Sequence, residues 1–176
     1  MGDLDKIRSL IVPVPNFPKP GILFRDISPL LSNNEERQRA CHLLAQHFVD
    51  DKIDVVVGIE SRGFIIGMSL ADRLGTGFVM ARKPGKLPIK TYSVKYGLEY
   101  GKDELFLSVQ AFEGYTCPRV LIVDDLLASG GTLKAAVQLV EQAGGFVVGV
   151  TCLVELKELG GRKFLHPYHV TSLISY

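Results

Sequence analysis

Val120-Leu121-Ile122-Val123, then Asp124-Asp125, then Leu126-Leu127-Ala128-Ser129-Gly130-Gly131-Thr132, constrains this chain more than any other stretch. Four apolar residues read as a short buried strand. Two carboxylates then fall at its carboxyl end, where open α/β sheets bind their ligands. Ala128 to Thr132 offers backbone N–H groups with little side-chain bulk, and Ser129 and Thr132 add hydroxyls. The positive end of the following helix points at the same place. That combination suits a sugar phosphate, with the phosphate in the loop and the ribose hydroxyls on the acids. The loop lacks the Lys of G-x-x-x-x-G-K-[ST], and its glycines are not spaced as G-x-G-x-x-G. A glycine-containing turn between a strand and a helix is the plainer reading of the same letters.

The rest of the chain predicts an α/β fold: a mainly parallel, twisted sheet flanked by helices, with a small N-terminal hood. Residues 1–33 form the hood segment and 34–176 the core, with a flexible loop at about 83–104. Pro13, Pro15, Pro18, Pro20 and Pro29 resist regular structure, yet Ile11, Val12, Phe17, Ile22 and Phe24 are too many apolar residues for a disordered tail. A lobe packed over the main domain and a plain arm for dimer contacts both fit. Ser32-x-x-Glu35 resembles a capping box opening a helix to about Val49. Ile53 to Ile59, Phe78 to Ala81, Phe146 to Val154 and Val170 to Ile174 read as strands, the last at an edge. Phe64 to Leu74 and Leu133 to Ala143 read as helices, each followed by glycine. Thr91 to Lys95 and Glu104 to Val109 could pair within the irregular region, and Lys157 to Lys163 reads as a polar turn with no usable motif.

Composition excludes several classes. A net charge of +1 gives no basic footprint for nucleic acid or membranes, so phosphate binding must come from a local cluster. Cys41, Cys117 and Cys152 are odd in number and not in C-x-x-C form, which fits a reducing, cytoplasmic setting. The start has no apolar core of a signal peptide, and Lys6 stands where a myristoylation signal wants Ser or Thr. His42, His47, His166 and His169 have no metal-ligand spacing.

The 120–132 segment resembles the phosphoribosyl-pyrophosphate signature of type I phosphoribosyltransferases. Pro20-Gly21-Ile22-Leu23-Phe24-Arg25-Asp26-Ile27-Ser28, Ser61-Arg62-Gly63-Phe64, Arg82-Lys83-Pro84-Gly85-Lys86-Leu87-Pro88 and Leu98-Glu99-Tyr100-Gly101 extend the resemblance, in order and spacing, to the adenine-specific enzymes. The phosphate motif alone is shared with hypoxanthine, orotate and uracil enzymes. The resemblance implies purine salvage: adenine and phosphoribosyl pyrophosphate give AMP and pyrophosphate, with Mg²⁺, in a homodimer. It also implies a cis peptide at Glu60–Ser61.

Displacing pyrophosphate from ribose C1 builds positive charge on the sugar and negative charge on the leaving group, so the site must hold the anion and align the base. Asp124, Asp125, Ala128, Ser129, Gly130, Gly131 and Thr132 are the expected ribose and 5′-phosphate contacts. Ser61, Arg62, Arg82, Lys83, Lys86 and Tyr100 are expected on pyrophosphate, Arg62 as a catalytic cation; a solvated basic surface is the plainer reading of the 82–86 run. By resemblance Glu99 is the acid/base that balances charge at adenine N7, in a lid closed by Tyr100 and its flanking glycines. Phe24 and Leu126 would sandwich the purine, with Leu23 and Arg25 at its edge. Mg²⁺ should be held mostly by substrate and water, so no protein ligand is assigned. Other purine bases (hypoxanthine, guanine, xanthine) and a DNA-binding regulator built on the same site are the alternatives. A regulator would need an added N-terminal domain, for which the proline-rich start leaves no room.

Overall fold

The proline-rich start forms more regular structure than its composition suggests. In the computed structural model, which describes residues 2–98 and 101–176, helix α1 (Asp3–Ser9) precedes the first proline, and the Asp5 carboxylate accepts the Gly2 N–H at 3.0 Å. An N-terminal charge–dipole contact of this kind favours a helix even this short. Strands β1 (Val12–Pro15) and β2 (Leu23–Asp26) then pair antiparallel, Val14 opposite Phe24. Proline is tolerated because this two-stranded ribbon is all edge. Helix α2 (Ser28–Ser32) follows, with Pro29 in its first turn. In place of the capping box expected at Ser32, a single side-chain cap forms one residue later. Ser32 closes α2, and the Asn33 side chain accepts the Glu36 N–H at 3.1 Å to open α3 (Asn34–Gln46).

The chain divides into two compact units, residues 1–43 and 44–176. In the second, β3 (Val55–Ile59), β4 (Gly77–Ala81), β7 (Arg119–Leu127), β8 (Phe146–Glu155) and β9 (Val170–Ser175) form one parallel sheet in the order β4-β3-β7-β8-β9. Val55, Val56 and Val57, and Val120 to Val123, are buried throughout. Continuous apolar runs, not alternating ones, are what a strand covered on both faces requires. Helix α4 (Arg62–Leu74) links β3 to β4 and ends on Gly75 at φ +66°. The Phe78 ring lies where a side chain at Gly58 or Gly67 would stand, at 2.7 and 2.8 Å from their virtual Cβ positions, so α4 packs unusually close to the sheet.

Between β4 and β7 the chain leaves the sheet. Strands β5 (Thr91–Leu98) and β6 (Gly101–Ser108) form an antiparallel hairpin, stitched to the end of β4 by two 2.8 Å hydrogen bonds between the Arg82 and Phe106 backbones. Regular structure thus runs further into the 83–104 region than its glycines and prolines suggest. Tyr96, Leu105 and Leu107 are buried in one core with Leu133, Ala136 and Val137 of α5 (Gly131–Gln142), and that burial overrides weak local propensity. A 3-10 turn (Lys157–Leu159) and helix α6 (Gly161–Phe164) lead into β9. No helix among the described residues is long and apolar enough to cross a membrane.

Candidate active site

The two aspartates stand near the carboxyl end of the strand, as the sequence suggests, and the strand runs on past them. β7 continues to Leu127, with Asp124 opposite Cys152, Leu126 opposite Val154 and Leu127 opposite Glu155 of β8. Pairing with the longer β8 carries the strand past its apolar stretch. The carboxylates therefore stand on a rigid element. Asp125 donates its N–H to Asp124 Oδ1 at 2.9 Å, which turns one carboxylate back along the strand.

Helix α4 meets this pair end-on. Gly63 packs so close that a Cβ there would lie 2.8 Å from Asp124 Oδ1 and 3.0 Å from the Val123 carbonyl oxygen. One residue earlier, Arg62 Nη2 reaches Asp125 Oδ2 at 2.6 Å. Loss of water pushes the Asp124 carboxyl well above the usual carboxylate range, and the neighbouring Asp125 charge adds to it. Asp125 is also pushed up by burial, against the pull of Arg62.

Arg62, Asp124, Asp125, Leu126, Ala128, Ser129, Gly130, Gly131 and Thr132 line one cavity of about 220 Å³. Drug-sized sites span about 300–1,000 Å³, so this one suits part of a substrate, not all of it. Gly130, at φ +89°, is the residue before α5, a conformation L side chains rarely adopt. The first residues of α5, Gly131 to Leu133, line this cavity, and the first amides of a helix have no acceptor within it. Positive potential, amide donors and two acceptors therefore converge. A larger cavity, about 420 Å³, lies by Phe112, Glu113, Tyr115 and the carboxyl end of α5, where the helix field opposes anions.

The basic run is placed beside the pair formed by Glu60 and Ser61, whose peptide is cis as the resemblance implies. Arg82 Nε and the Lys83 N–H donate to Glu60 Oε2 at 3.0 and 2.8 Å. Arg82, Lys83 and Lys86 do not line the 220 Å³ cavity. Lys83 Nζ instead pairs with Asp103 and donates to Tyr96 Oη at 2.5 Å, on the hairpin. The Arg82 hydrogen bond holds the Glu60 carboxyl below its ordinary value, with Lys86 contributing through its charge. Lys86 itself is exposed, as is Ser61 at the start of α4. Glu99 and Tyr100 lie outside the described residues.

In the first unit, strand geometry separates the expected base contacts. Leu23 and Arg25 fall on one face of β2 and Phe24 on the other, where its ring meets Phe17 edge-on at 5.2 Å. Sequence reasoning gave no side-chain role to Glu60, Tyr96 and Asp103, which organise the basic run, and none to Gly161, which stands against Ala128 and Gly130. Glu60 had a signal in the cis peptide that the resemblance implies, and Gly161 in the Gly160-Gly161 pair read as part of a polar turn.

A sequence profile for the phosphoribosyl transferase domain matches residues 27–175. The chain belongs to the phosphoribosyltransferase family. Adenine phosphoribosyltransferase of Francisella tularensis subsp. novicida (strain U112) is 51% identical over 176 residues, covering 99% of each chain. The crystal structure of adenine phosphoribosyltransferase from Thermoanaerobacter pseudethanolicus superposes with a TM-score of 0.93 at 46% identity, covering 98% of this chain and 99% of that one. The Saccharomyces cerevisiae enzyme, solved with an imino-altritol bisphosphate and adenine, gives a TM-score of 0.87 at 38% identity, covering 97% of this chain and 98% of that one. In this phosphoribosyltransferase the parallel sheet puts the acids, the loop and Arg62 at one carboxyl-end rim, as the family's fold requires.

Proposed function

We propose that this chain transfers the 5-phosphoribosyl group from phosphoribosyl pyrophosphate to adenine, releasing pyrophosphate and forming AMP in purine salvage. The observation that carries the reading is the single cavity shared by Asp124, Asp125 and the 128–132 loop, with Arg62 at its side. The loop amides and the Ser129 and Thr132 hydroxyls take the 5′-phosphate. Asp124 and Asp125 accept the ribose hydroxyls, and a raised Asp124 carboxyl lets one of the two also donate.

Ser61, Arg62, Arg82, Lys83, Lys86 and Tyr100 hold pyrophosphate. Positive charge fixed where the leaving group gains negative charge lowers the barrier without rearrangement during the reaction. Lys83 must exchange Asp103 for the substrate to join them. Glu99 balances charge at adenine N7 as N9 attacks C1, and Leu23, Phe24, Arg25 and Leu126 are assigned to the base. Mg²⁺ fits a site of this kind. This ion is bound mainly through substrate oxygens and water, so no protein ligand is assigned. Its part is to neutralise the pyrophosphate oxygens. A cytoplasmic homodimer completes the reading.

One assay tests it: protein, Mg²⁺ and phosphoribosyl pyrophosphate with adenine, hypoxanthine or guanine, followed by nucleotide analysis. AMP formation with adenine alone is expected. IMP or GMP in its place makes the chain a transferase for another purine, and binding without turnover makes it a regulator. In crystals grown with AMP, a nucleotide bound away from Asp124 and Asp125 would overturn the site assignment.

A further inference from the structure

The turn at Gly160–Gly161 stands directly behind the loop at Ala128–Gly130. A side chain on Gly161 would collide with the Ala128 carbonyl oxygen, and its Cβ would come within 2.7 Å of Leu127 Cδ1 and 2.9 Å of the Gly130 nitrogen. In the other direction, a Cβ on Gly130 would lie 2.8 Å from the Gly161 carbonyl oxygen. Two backbones therefore touch with no side chain between them. Contact this tight passes displacement on directly, since neither segment can relax without moving the other.

The residue after Gly161 is bolted to the sheet. Arg162 donates from Nε to Glu155 Oε1 at 3.0 Å and from Nη2 to Oε2 at 2.6 Å. It also donates to the Val170 carbonyl and, at 3.2 Å, to Ser172 Oγ. Glu155 is 3% exposed and accepts the Ser172 hydroxyl at 2.5 Å. It ends β8, opposite Leu127 of β7 and Ser175 of β9. A forked arginine on a carboxylate fixes orientation as well as distance, which a lysine cannot do. The network therefore ties three strands at one end to the glycine that backs the loop at the other. None of its side chains lines the cavity.

We propose that Glu155 and Arg162 are positioning residues for the 5′-phosphate: they hold the Gly160–Gly161 turn against Ala128–Gly130 and so keep the loop amides aimed into the cavity. This rests on the loop being the phosphate site. Arg162 keeps the Glu155 carboxyl below its ordinary range, so the pair is intact at neutral pH.

The test compares Arg162→Met, Arg162→Lys, Gly161→Ala and Thr132→Ala with the parent protein. KM values for phosphoribosyl pyrophosphate and adenine are measured with calorimetric Kd values for ribose 5-phosphate and pyrophosphate. Arg162→Met should raise the first KM and the ribose 5-phosphate Kd roughly ten- to hundredfold, with the adenine KM and pyrophosphate Kd within about twofold of the parent. Arg162→Lys should fall between the two. Unchanged ribose 5-phosphate binding, or equal loss in all four constants, overturns the proposal. Should Arg162→Met fail to fold, Gly161→Ala leaves the ion pair intact, presses on the loop directly and must give the same split. Thr132→Ala separates the two ideas. If it leaves ribose 5-phosphate binding intact, the loop is not the phosphate site and both fall. If it weakens binding while Arg162→Met and Gly161→Ala do not, only the positioning role falls.

Discussion

Arg62 Nη2 lies 2.6 Å from Asp125 Oδ2, joining the start of α4 to the carboxyl end of β7 across the rim of the cavity. The Asp125 side chain is 9% exposed and that of Arg62 29%. The guanidinium is thus held at the rim of the cavity that it lines. Arg62→Met removes that cation and leaves a buried carboxylate without it. We expect kcat/KM to fall by about 10²–10³-fold, the usual worth of one group stabilising transition-state charge. Steady-state kinetics beside a melting curve checks this, and full activity would remove Arg62 from the chemistry.

Asp124 has a folded pKa above its ordinary value of 3.8. The folded state then holds the extra proton, so the group is neutral to stability below about pH 3.8, increasingly unfavourable above it, and fully so once pH passes the folded value. Asp124→Asn should therefore raise the melting temperature at neutral pH, by the equivalent of about 0.5–2 kcal/mol, while abolishing nucleotide synthesis. The gain should vanish on acidification. Glu60, Asp103 and Glu155 have the opposite sign, their lowered values giving stability that is lost as pH falls through them. A melting series across pH for both proteins decides it, and an unstabilised variant with normal turnover contradicts both halves.

Gly63→Ala places a methyl 2.8 Å from Asp124 Oδ1, against a strand that cannot move aside. Overpacking of this kind costs about 1–3 kcal/mol. For a chain of this length that is a fall of roughly 2–12 °C in Tm. Activity should fall further than stability, because the displaced group is the carboxylate itself. Calorimetry with an assay well below Tm separates the two.

Lys83 is paired with Asp103, and both side chains are about 30% exposed (31% and 26%). A pair this wet is worth about 0–1 kcal/mol, so releasing Lys83 is cheap. Asp103→Asn should tighten pyrophosphate binding, but by no more than about fivefold, as 1 kcal/mol allows. Weaker binding measured by calorimetry would mean that Asp103 helps to orient Lys83 toward the substrate.

Glu99→Gln keeps the shape of the side chain and removes its proton transfer. A loss in kcat of about 10²–10⁴-fold is expected, with KM for phosphoribosyl pyrophosphate little changed. Normal turnover excludes Glu99 from the mechanism.

The strand–acid–acid–small-loop–helix order was legible because each step has a local chemical signature, and so was the parallel sheet, whose strands are continuous apolar runs. Less legible were features fixed by distant partners. β7 runs through Asp124 and Asp125 because β8 is long enough to pair as far as Leu127, which no residue near the acids announces. The β5–β6 hairpin takes its regularity from burial against α5. Glu60 organises Arg82 and Lys83 from more than twenty positions away, and Gly161 matters through a backbone contact that side-chain chemistry cannot advertise.

Val55 pairs with Val120, so the centre of the sheet joins segments separated by the whole 60–118 excursion. The complete pocket cannot form before that long loop closes, since Arg62 follows one strand and Asp125 belongs to the other. Refolding chains should therefore acquire ribose 5-phosphate affinity in the same kinetic phase as their final secondary structure, with no early compact species able to capture ligand.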